Sequence, residues 1–495
     1  MNPLLLTDGY KTGHHNQYPK DTQVVYSNFT PRANKYAPNG ANHVVSFGQQ
    51  MIMKQIHDSF EKEFFSKSKG EVCDEMKREL SMYLGTDYDV SHFEDLHDLG
   101  YLPINVKSID EGELVPIRVP VLTIYNTHPD FYWVTNYLET IISNLLWKPM
   151  TSATIGFEYR KVLTSWQEKT DKERQWFIDW QGHDFSMRGM DSVEAVISSG
   201  LGHAISFLGS DSLPVIHGAR KFYNETGVVI GSVNATEHSV MCAGGKETEI
   251  KTFRRLIDTY PSGILSVVSD TWDLWRVVTE YVVELKDEIL ARDGKLVIRP
   301  DSGNPADIIC GYNSLDEYEL KERKVPVSDG HPSVKGVVEL LWDVFGGTIN
   351  EQGYKVLNEK VGAIYGDSIT IERAGEICRR LESKGFASTN VVLGVGSFTY
   401  QYNTRDSFGF AMKATYVEVD GEGREIFKDP ITDSGIKKSA RGLLKVVKEN
   451  GELKLIDQVS WEEEKEGELK TIYKDGKFIK ETKYSEIRER VKSRI

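Results

Sequence analysis

Arg299-Pro300-Asp301-Ser302-Gly303-Asn304-Pro305 puts a guanidinium and a carboxylate two residues apart, directly after the apolar run Leu296-Val297-Ile298. An arginine at the end of a buried strand is costly unless it has a partner. Pro300 and Gly303 fix a tight turn that aims Arg299 and Asp301 into one space. Asp270 follows Leu265-Ser266-Val267-Val268-Ser269 in the same way, and Gly366-Asp367 follows Ala363-Ile364-Tyr365. Carboxylates on separate strand ends can converge on a divalent cation or on ribose hydroxyls. Singly, an Asp after a strand is more often a turn former or helix cap; several in one layer favour a site. His238, in Asn234-Ala235-Thr236-Glu237-His238-Ser239, is of a type that serves as acid, base or phosphoryl acceptor. It lacks the second histidine of a zinc helix. Gly394-Val395-Gly396-Ser397 offers backbone amides that could cradle a phosphate, but the third glycine of a dinucleotide fingerprint is missing. Arg405 and Lys413 add cationic charge suited to phosphate or diphosphate. His183-Asp184-Phe185-Ser186-Met187-Arg188-Gly189 pairs an aromatic ring with an arginine, whose plainest explanation is a core Phe and a surface Arg. Tyr10 and Arg32 carry no signal by pattern.

These residues need elements to position them. Between about 200 and 397, short apolar runs each end in a polar cluster: Ile205–Leu208 before Gly209-Ser210-Asp211, Val228–Ile230 before Gly231-Ser232, and the runs before Asp270, Arg299, Asp367 and Gly394. Such runs read as buried strands. Helical spacing separates several of them, as in Ile250, Phe253, Ile257, Tyr260 and in Ile371, Ala374, Cys378, Leu381, which stops at Gly385. Strand, polar turn and helix in alternation predict a parallel sheet covered by helices. Closure into a barrel would set the site at the C-terminal strand ends. After about residue 410 the pattern changes. Asp420-Gly421, Asn450-Gly451 and Asp475-Gly476 lie between alternating segments, the strongest short-range hairpin signal. The first 150 residues are mixed, and pattern alone leaves open whether head and tail share a sheet.

The charge balance of −14 disfavours nonspecific nucleic-acid binding, while leaving room for a local basic pocket. The aromatic content, 11%, excludes a wholly disordered chain. The four cysteines, Cys73, Cys242, Cys310 and Cys378, form no C-x-x-C pair, and reduced thiols in a cytoplasmic protein are the simplest expectation. No secretory signal and no membrane-length apolar run stand out.

In order, Thr7-Asp8-Gly9-Tyr10-Lys11, Gln17-Tyr18-Pro19, the 183–189 segment, Phe207-Leu208-Gly209-Ser210-Asp211, Ala235–Ser239, Val267-Val268-Ser269-Asp270, Ile298–Pro305, Gly366-Asp367 and Thr404-Arg405-Asp406 resemble the nicotinamide phosphoribosyltransferases, relatives of the nicotinate phosphoribosyltransferases. The resemblance implies an irregular parallel α/β barrel over 151–400. Beside it stands an α+β domain whose antiparallel sheet is built from both chain ends, 1–150 and 401–495. It implies transfer of phosphoribosyl from 5-phosphoribosyl 1-diphosphate to nicotinamide, giving nicotinamide mononucleotide and diphosphate, in a cytoplasmic homodimer that shares its site. It further implies that Phe185 and the partner subunit's Tyr10 sandwich the pyridine ring, and that Asp211 accepts a hydrogen bond from the carboxamide while repelling nicotinate. Arg299, on the turn with Pro300, sits by the base. Asp301, Gly366 and Asp367 hold ribose and phosphate, with backbone contacts at Gly396 and Ser397. Arg188, Arg405, Lys413 and the partner subunit's Arg32 bind the phosphate and diphosphate groups. Mg2+ on the diphosphate is steadied through Asp270 and Asp301, and His238 matches a histidine that ATP phosphorylates, so ATP is an optional coupled substrate. Where some relatives carry a run of glycines, this chain has Gly396-Ser397-Phe398.

Three other readings compete: a nicotinate phosphoribosyltransferase, which Asp211 disfavours; a barrel hydrolase or aldolase using the Asp cluster; and a non-catalytic protein on the same fold, which the intact set of Arg299, Asp301, Asp211 and His238 disfavours.

Overall fold

The computed structural model describes residues 1–312, 330–366, 368–427 and 440–495. The chain divides into two compact units. One comprises 1–154, 218–227 and 403–494, and the other 155–217 and 228–402, with residue 495.

The first unit draws on both chain ends. Its seven-stranded sheet runs Glu422–Glu425, Ala411–Val419, Thr22–Thr30, Leu122–Asn126, Ile104–Ser108, Lys470–Lys474, Lys477–Phe478, every neighbour antiparallel. Head and tail therefore do share a sheet. All three Asx-Gly pairs make the turns expected of them. Asp420, Asn450 and Asp475 take φ of 53°, 52° and 48°, each followed by a glycine with positive φ. Two left-handed residues in succession match the twist of the flanking strands, and only Asn, Asp and Gly adopt that conformation readily. Lys107, on a central strand, is buried against Glu464 at 2.9 Å, with the Tyr26 hydroxyl donating to the same carboxylate. That pair ties the short helix Trp461–Glu464 to the sheet. Glu111 is also buried here. It accepts the Gln50 backbone N–H at 2.7 Å, and burial, only partly offset by that bond, raises its pKa to about 7.

The second unit is the barrel. Its parallel sheet runs Gly182–Asp184, Val391–Val395, Val361–Tyr365, Asp293–Arg299, Ser262–Val268, Asn234–Ala235. Two isolated parallel bridges, Asp184 to Ser210 and Gly209 to Gly231, lead from the first strand through a short stave to the segment entering the last. The pairing thus returns to where it began, and the staves at 209–210 and 231 are its irregular part. The sequence expectation of full strands at Ile205–Leu208 and Val228–Ile230 is corrected. The first run closes the helix Val193–Ala204, the second is irregular, and only single bridges form after each. An apolar run that closes a buried helix reads along the chain like a buried strand, and glycine at 209 admits the close approach at the bridge, where a Cβ would stand 2.8 Å from His183 Nδ1 and 3.1 Å from the Gly182 carbonyl.

Apolar side chains on the outer face of the barrel strands, Leu265, Val267, Leu296 and Ile298 among them, pack against the helices Glu249–Thr259, Gly336–Phe345 and Ile371–Ser383 in one core. Burying each such side chain contributes roughly 1.5–3 kcal/mol, which holds the strand ends in fixed positions. The four cysteines carry no disulfide, and Cys242 alone of them is exposed. Among the described residues no helix is long and apolar enough to cross a membrane.

Candidate active site

The strand ends of the barrel converge as the polar clusters predicted. Asp270 acts first as a fastener. Its Oδ2 accepts the backbone N–H of Asp301 and of Ser302, both at 2.7 Å, and the Ser302 hydroxyl at 2.6 Å. Three donors on one oxygen lock the Arg299–Ser302 turn in register, while the buried Oδ1 is left without a partner among the described residues. Gly366 N donates to the Pro300 carbonyl at 3.1 Å, tying the next strand end to the same turn. A Cβ on Gly366 would stand 3.0 Å from both Arg299 Nε and Asp301 Oδ1, so glycine is what lets those two side chains lie across that strand end. His238 opens the helix His238–Ala243. Its Nδ1 lies 3.2 Å from the Thr271 hydroxyl and its Nε2 3.8 Å from Asp301 Oδ2. His238, Asp270, Asp301, Arg299, Pro300 and Gly366 thus form one cluster.

A second cluster adjoins it through Arg299, whose guanidinium carbon is 5.1 Å from the centre of the Phe185 ring. Phe185 follows the strand Gly182–Asp184 and is half-buried, its N–H bonded to the Val395 carbonyl at 3.0 Å. Asp211 faces the same space. His183 Nε2 lies 3.0 Å from its Oδ1, and the Ser232 hydroxyl donates to the same oxygen. Burial pushes the Asp211 carboxyl up, but the donors His183 and Ser232 and the charge of Arg299 outweigh it and hold the group below its ordinary range. The carboxylate is therefore ionised, with both of these donors on Oδ1. These residues line one end of a cavity of roughly 400 Å³ inside the barrel. A flat aromatic ring, a cation over it and an anionic acceptor can hold a planar heteroaromatic amide.

Gly396 and Ser397 begin the short helix Ser397–Gln401. The Ser397 hydroxyl lies 2.1 Å from where a Cβ on Gly189 would stand, so the turn Met187–Gly189 carrying Arg188 packs directly on Ser397. Arg188 is exposed. Asp367 lies outside the described residues. Tyr10, Arg32, Arg405 and Lys413 belong to the other unit. There Tyr10 is two-thirds exposed. Arg32 donates Nε–H to the Gly409 carbonyl at 3.1 Å, and burial together with the nearby charge of Arg405 lowers its pKa. Lys413 pairs with Asn28 across the sheet. Among the described residues no group of three or more His, Cys, Asp or Glu is arranged to hold a metal ion. A magnesium ion would fit only as a shared one, with Asp270 Oδ1 and Asp301 supplying part of its shell and a bound substrate the rest.

Sequence reasoning missed three partners. His183 and Ser232 load Asp211, and Thr271 holds His238. Each is a polar residue within three positions of a strand end, a signal present in the sequence but too common to single them out.

This is a parallel barrel with a basic and acidic cluster beside an aromatic slot, and the comparisons give that class a family. A model described as the nicotinate phosphoribosyltransferase family matches residues 180–477, and one described as the N-terminal domain of nicotinamide phosphoribosyltransferase matches 2–105. The chain is 48% identical to a nicotinamide phosphoribosyltransferase of Acinetobacter baylyi, covering 100% of this chain and 98% of the relative. It is 33% identical to one of Mycoplasma pneumoniae, covering 88% and 93%. Among solved structures, human nicotinic acid phosphoribosyltransferase shares the fold, with a TM-score of 0.56 at 16% identity over 98% of this chain and 93% of that one. A nicotinate-nucleotide pyrophosphorylase from Pyrococcus furiosus does so at 0.57 and 16%, over 100% and 95%. The chain belongs to the nicotinate phosphoribosyltransferase family. Within it, its similarity runs to the members named for nicotinamide.

Proposed function

We propose that the chain transfers the phosphoribosyl group of 5-phosphoribosyl 1-diphosphate to nicotinamide, forming nicotinamide mononucleotide and diphosphate. The observation that carries the choice of base is Asp211, an ionised carboxylate with one oxygen capped by His183 and Ser232, facing Phe185 and Arg299. Its free oxygen accepts from a carboxamide NH2, and it repels a carboxylate. The pyridine nitrogen already holds a lone pair. It forms the new bond to C1 of the ribose as the C1–oxygen bond breaks and its electron pair leaves with diphosphate. No proton moves, so no general base is required, and positioning and electrostatics supply the rate.

Phe185 stacks the ring and Arg299 lies beside it. Asp301, Gly366 and Asp367 take the ribose and its phosphate together with the Gly396-Ser397 turn. Arg188, Arg405, Lys413 and Arg32 take the phosphate and diphosphate charge. Bound magnesium, steadied by Asp270 and Asp301, would neutralise charge on the leaving diphosphate. The enzyme works as a homodimer whose site takes Tyr10 and Arg32 from the partner copy, in the cytoplasm. His238 accepts a phosphoryl group from ATP, and Thr271 and Asp301 orient its ring for that step.

The test is a product assay with magnesium and 5-phosphoribosyl 1-diphosphate, offering nicotinamide and nicotinate separately. Mononucleotide from nicotinamide alone is expected. Product from nicotinate alone would keep the chemistry and overturn the base assignment. For ATP, the expected outcome is stimulated synthesis in the wild type and none in His238→Ala; full stimulation in the variant would remove His238 from that role.

A further inference from the structure

The strand Asp293–Arg299 lends alternate side chains to the barrel's inner cavity. Lys295, Val297 and Arg299 line it, and Leu296 and Ile298 lie in the surrounding core. Four residue steps separate Lys295 from Arg299, about 13 Å along a strand. One strand therefore sets a cation at each end of the same cavity, and the two have different surroundings. Arg299 lies over Phe185 and has Asp211 as counter-charge. Lys295 is half-buried, and its ammonium has no hydrogen-bond or ion-pair partner among the described residues. Burial first, and then the charge of Arg174, lower its pKa, with Glu359 opposing weakly. Asp171 is already paired with Arg174 at 2.7 Å. The backbone has been cleared for the lysine: a Cβ on Gly362 would meet Lys295 Cδ at 3.3 Å, so glycine there lets the side chain cross the neighbouring strand. The same cavity is lined by the aromatic and apolar side chains of Trp176, Phe177, Trp180, Leu357 and Val361.

An ammonium held among aromatic walls without a counter-ion calls for an anion with a flat apolar body. We propose that the Lys295 end of the cavity is a second binding site, for a small aromatic carboxylate, the carboxylate pairing with Lys295 and the ring lying among Trp180, Phe177 and Leu357. The two ends sort ligands by charge. Asp211 repels such an anion from the Arg299 end, and Lys295 attracts it to the other. Lys295 and Arg299 stand about 13 Å apart along the strand, farther than one aromatic ring with its substituent reaches, so both ends fill at once. The site stands independently of what is transferred at the Arg299 end.

Benzoate is the probe, since it lacks a ring nitrogen and cannot accept a phosphoribosyl group; benzamide is its neutral control. Calorimetry on the full chain should show benzoate binding that Lys295→Met weakens at least tenfold and Lys295→Arg retains within threefold. Benzamide binding and the transfer rate should change less than twofold in both variants, and saturating nicotinamide should leave benzoate affinity within twofold. The proposal is overturned if folded wild-type protein does not bind benzoate, if Lys295→Met binds it equally well, or if nicotinamide displaces it one for one. Benzoate binding through Lys295 in a protein that transfers nothing to nicotinamide would sink the functional reading and uphold this one.

Discussion

In the proposed function a single carboxylate, Asp211, decides between two substrates that differ by one group. Removing its charge should move specificity more than stability, because the side chain is partly exposed and its neighbours His183 and Ser232 retain other surroundings. Asp211→Asn is expected to lower kcat/KM for nicotinamide and raise it for nicotinate, shifting their ratio roughly 10- to 100-fold, about 1.4–2.8 kcal/mol. An unchanged ratio in a direct competition assay would separate Asp211 from base choice. The folded-state pKa of Asp211 is depressed by its donors and by Arg299. The group therefore stays ionised down through the ordinary carboxylate range, and the preference for the amide should hold constant from pH 8 to pH 5. A preference that fades across that window would mean the carboxylate is not the discriminator.

Elements hold these residues, and one buried group in the sheet unit makes that hold depend on pH. Glu111 titrates at about 7 in the folded chain against an ordinary value of 4.5, because burial disfavours its charge. A raised folded pKa contributes stability that is fully present below the unfolded value and is lost as pH rises through the folded one. From Glu111 alone that amounts to about 3 kcal/mol, lost as pH rises from 4.5 to about 7 and constant beyond. Glu111→Gln keeps an acceptor for the Gln50 N–H and cannot ionise. Its Tm relative to wild type should therefore climb by about 5–10 °C between pH 5 and pH 9. A difference that is flat with pH would show that Glu111 does not carry this dependence.

For the whole molecule, the candidate residues fall in both units: Phe185, Asp211, Arg299 and His238 in the barrel, Tyr10, Arg32, Arg405 and Lys413 in the unit built from the chain ends. If two copies exchange Tyr10 and Arg32, inactive variants should rescue each other. Co-expressed Tyr10→Ala and Phe185→Ala chains are expected to regain up to about a quarter of wild-type activity, the share of sites that random pairing leaves with both residues intact. Activity no higher than that of the separate variants would argue against a shared site.

Much of this was legible before any coordinates, wherever the signal is local. Asx-Gly turns, helix spacing and apolar runs ending in Asp or Gly depend on neighbours in the chain, and they fixed the three hairpins, the barrel strands and the strand-end residues Asp270, Arg299, Asp301 and Gly366. The two weakest staves were not legible as such, because an apolar run looks alike in a strand and at the end of a buried helix. The resemblance, rather than any periodicity, supplied the joining of head and tail in one sheet. Only tertiary structure showed that Asp270 spends one oxygen locking the Arg299 turn, that His183 and Ser232 load Asp211, and that Lys295 shares a cavity with Arg299. The first two are meetings of groups from different strand ends, set by register, and the third follows from the pleat of one strand curled into a barrel; a sequence read along the chain carries no measure of those distances.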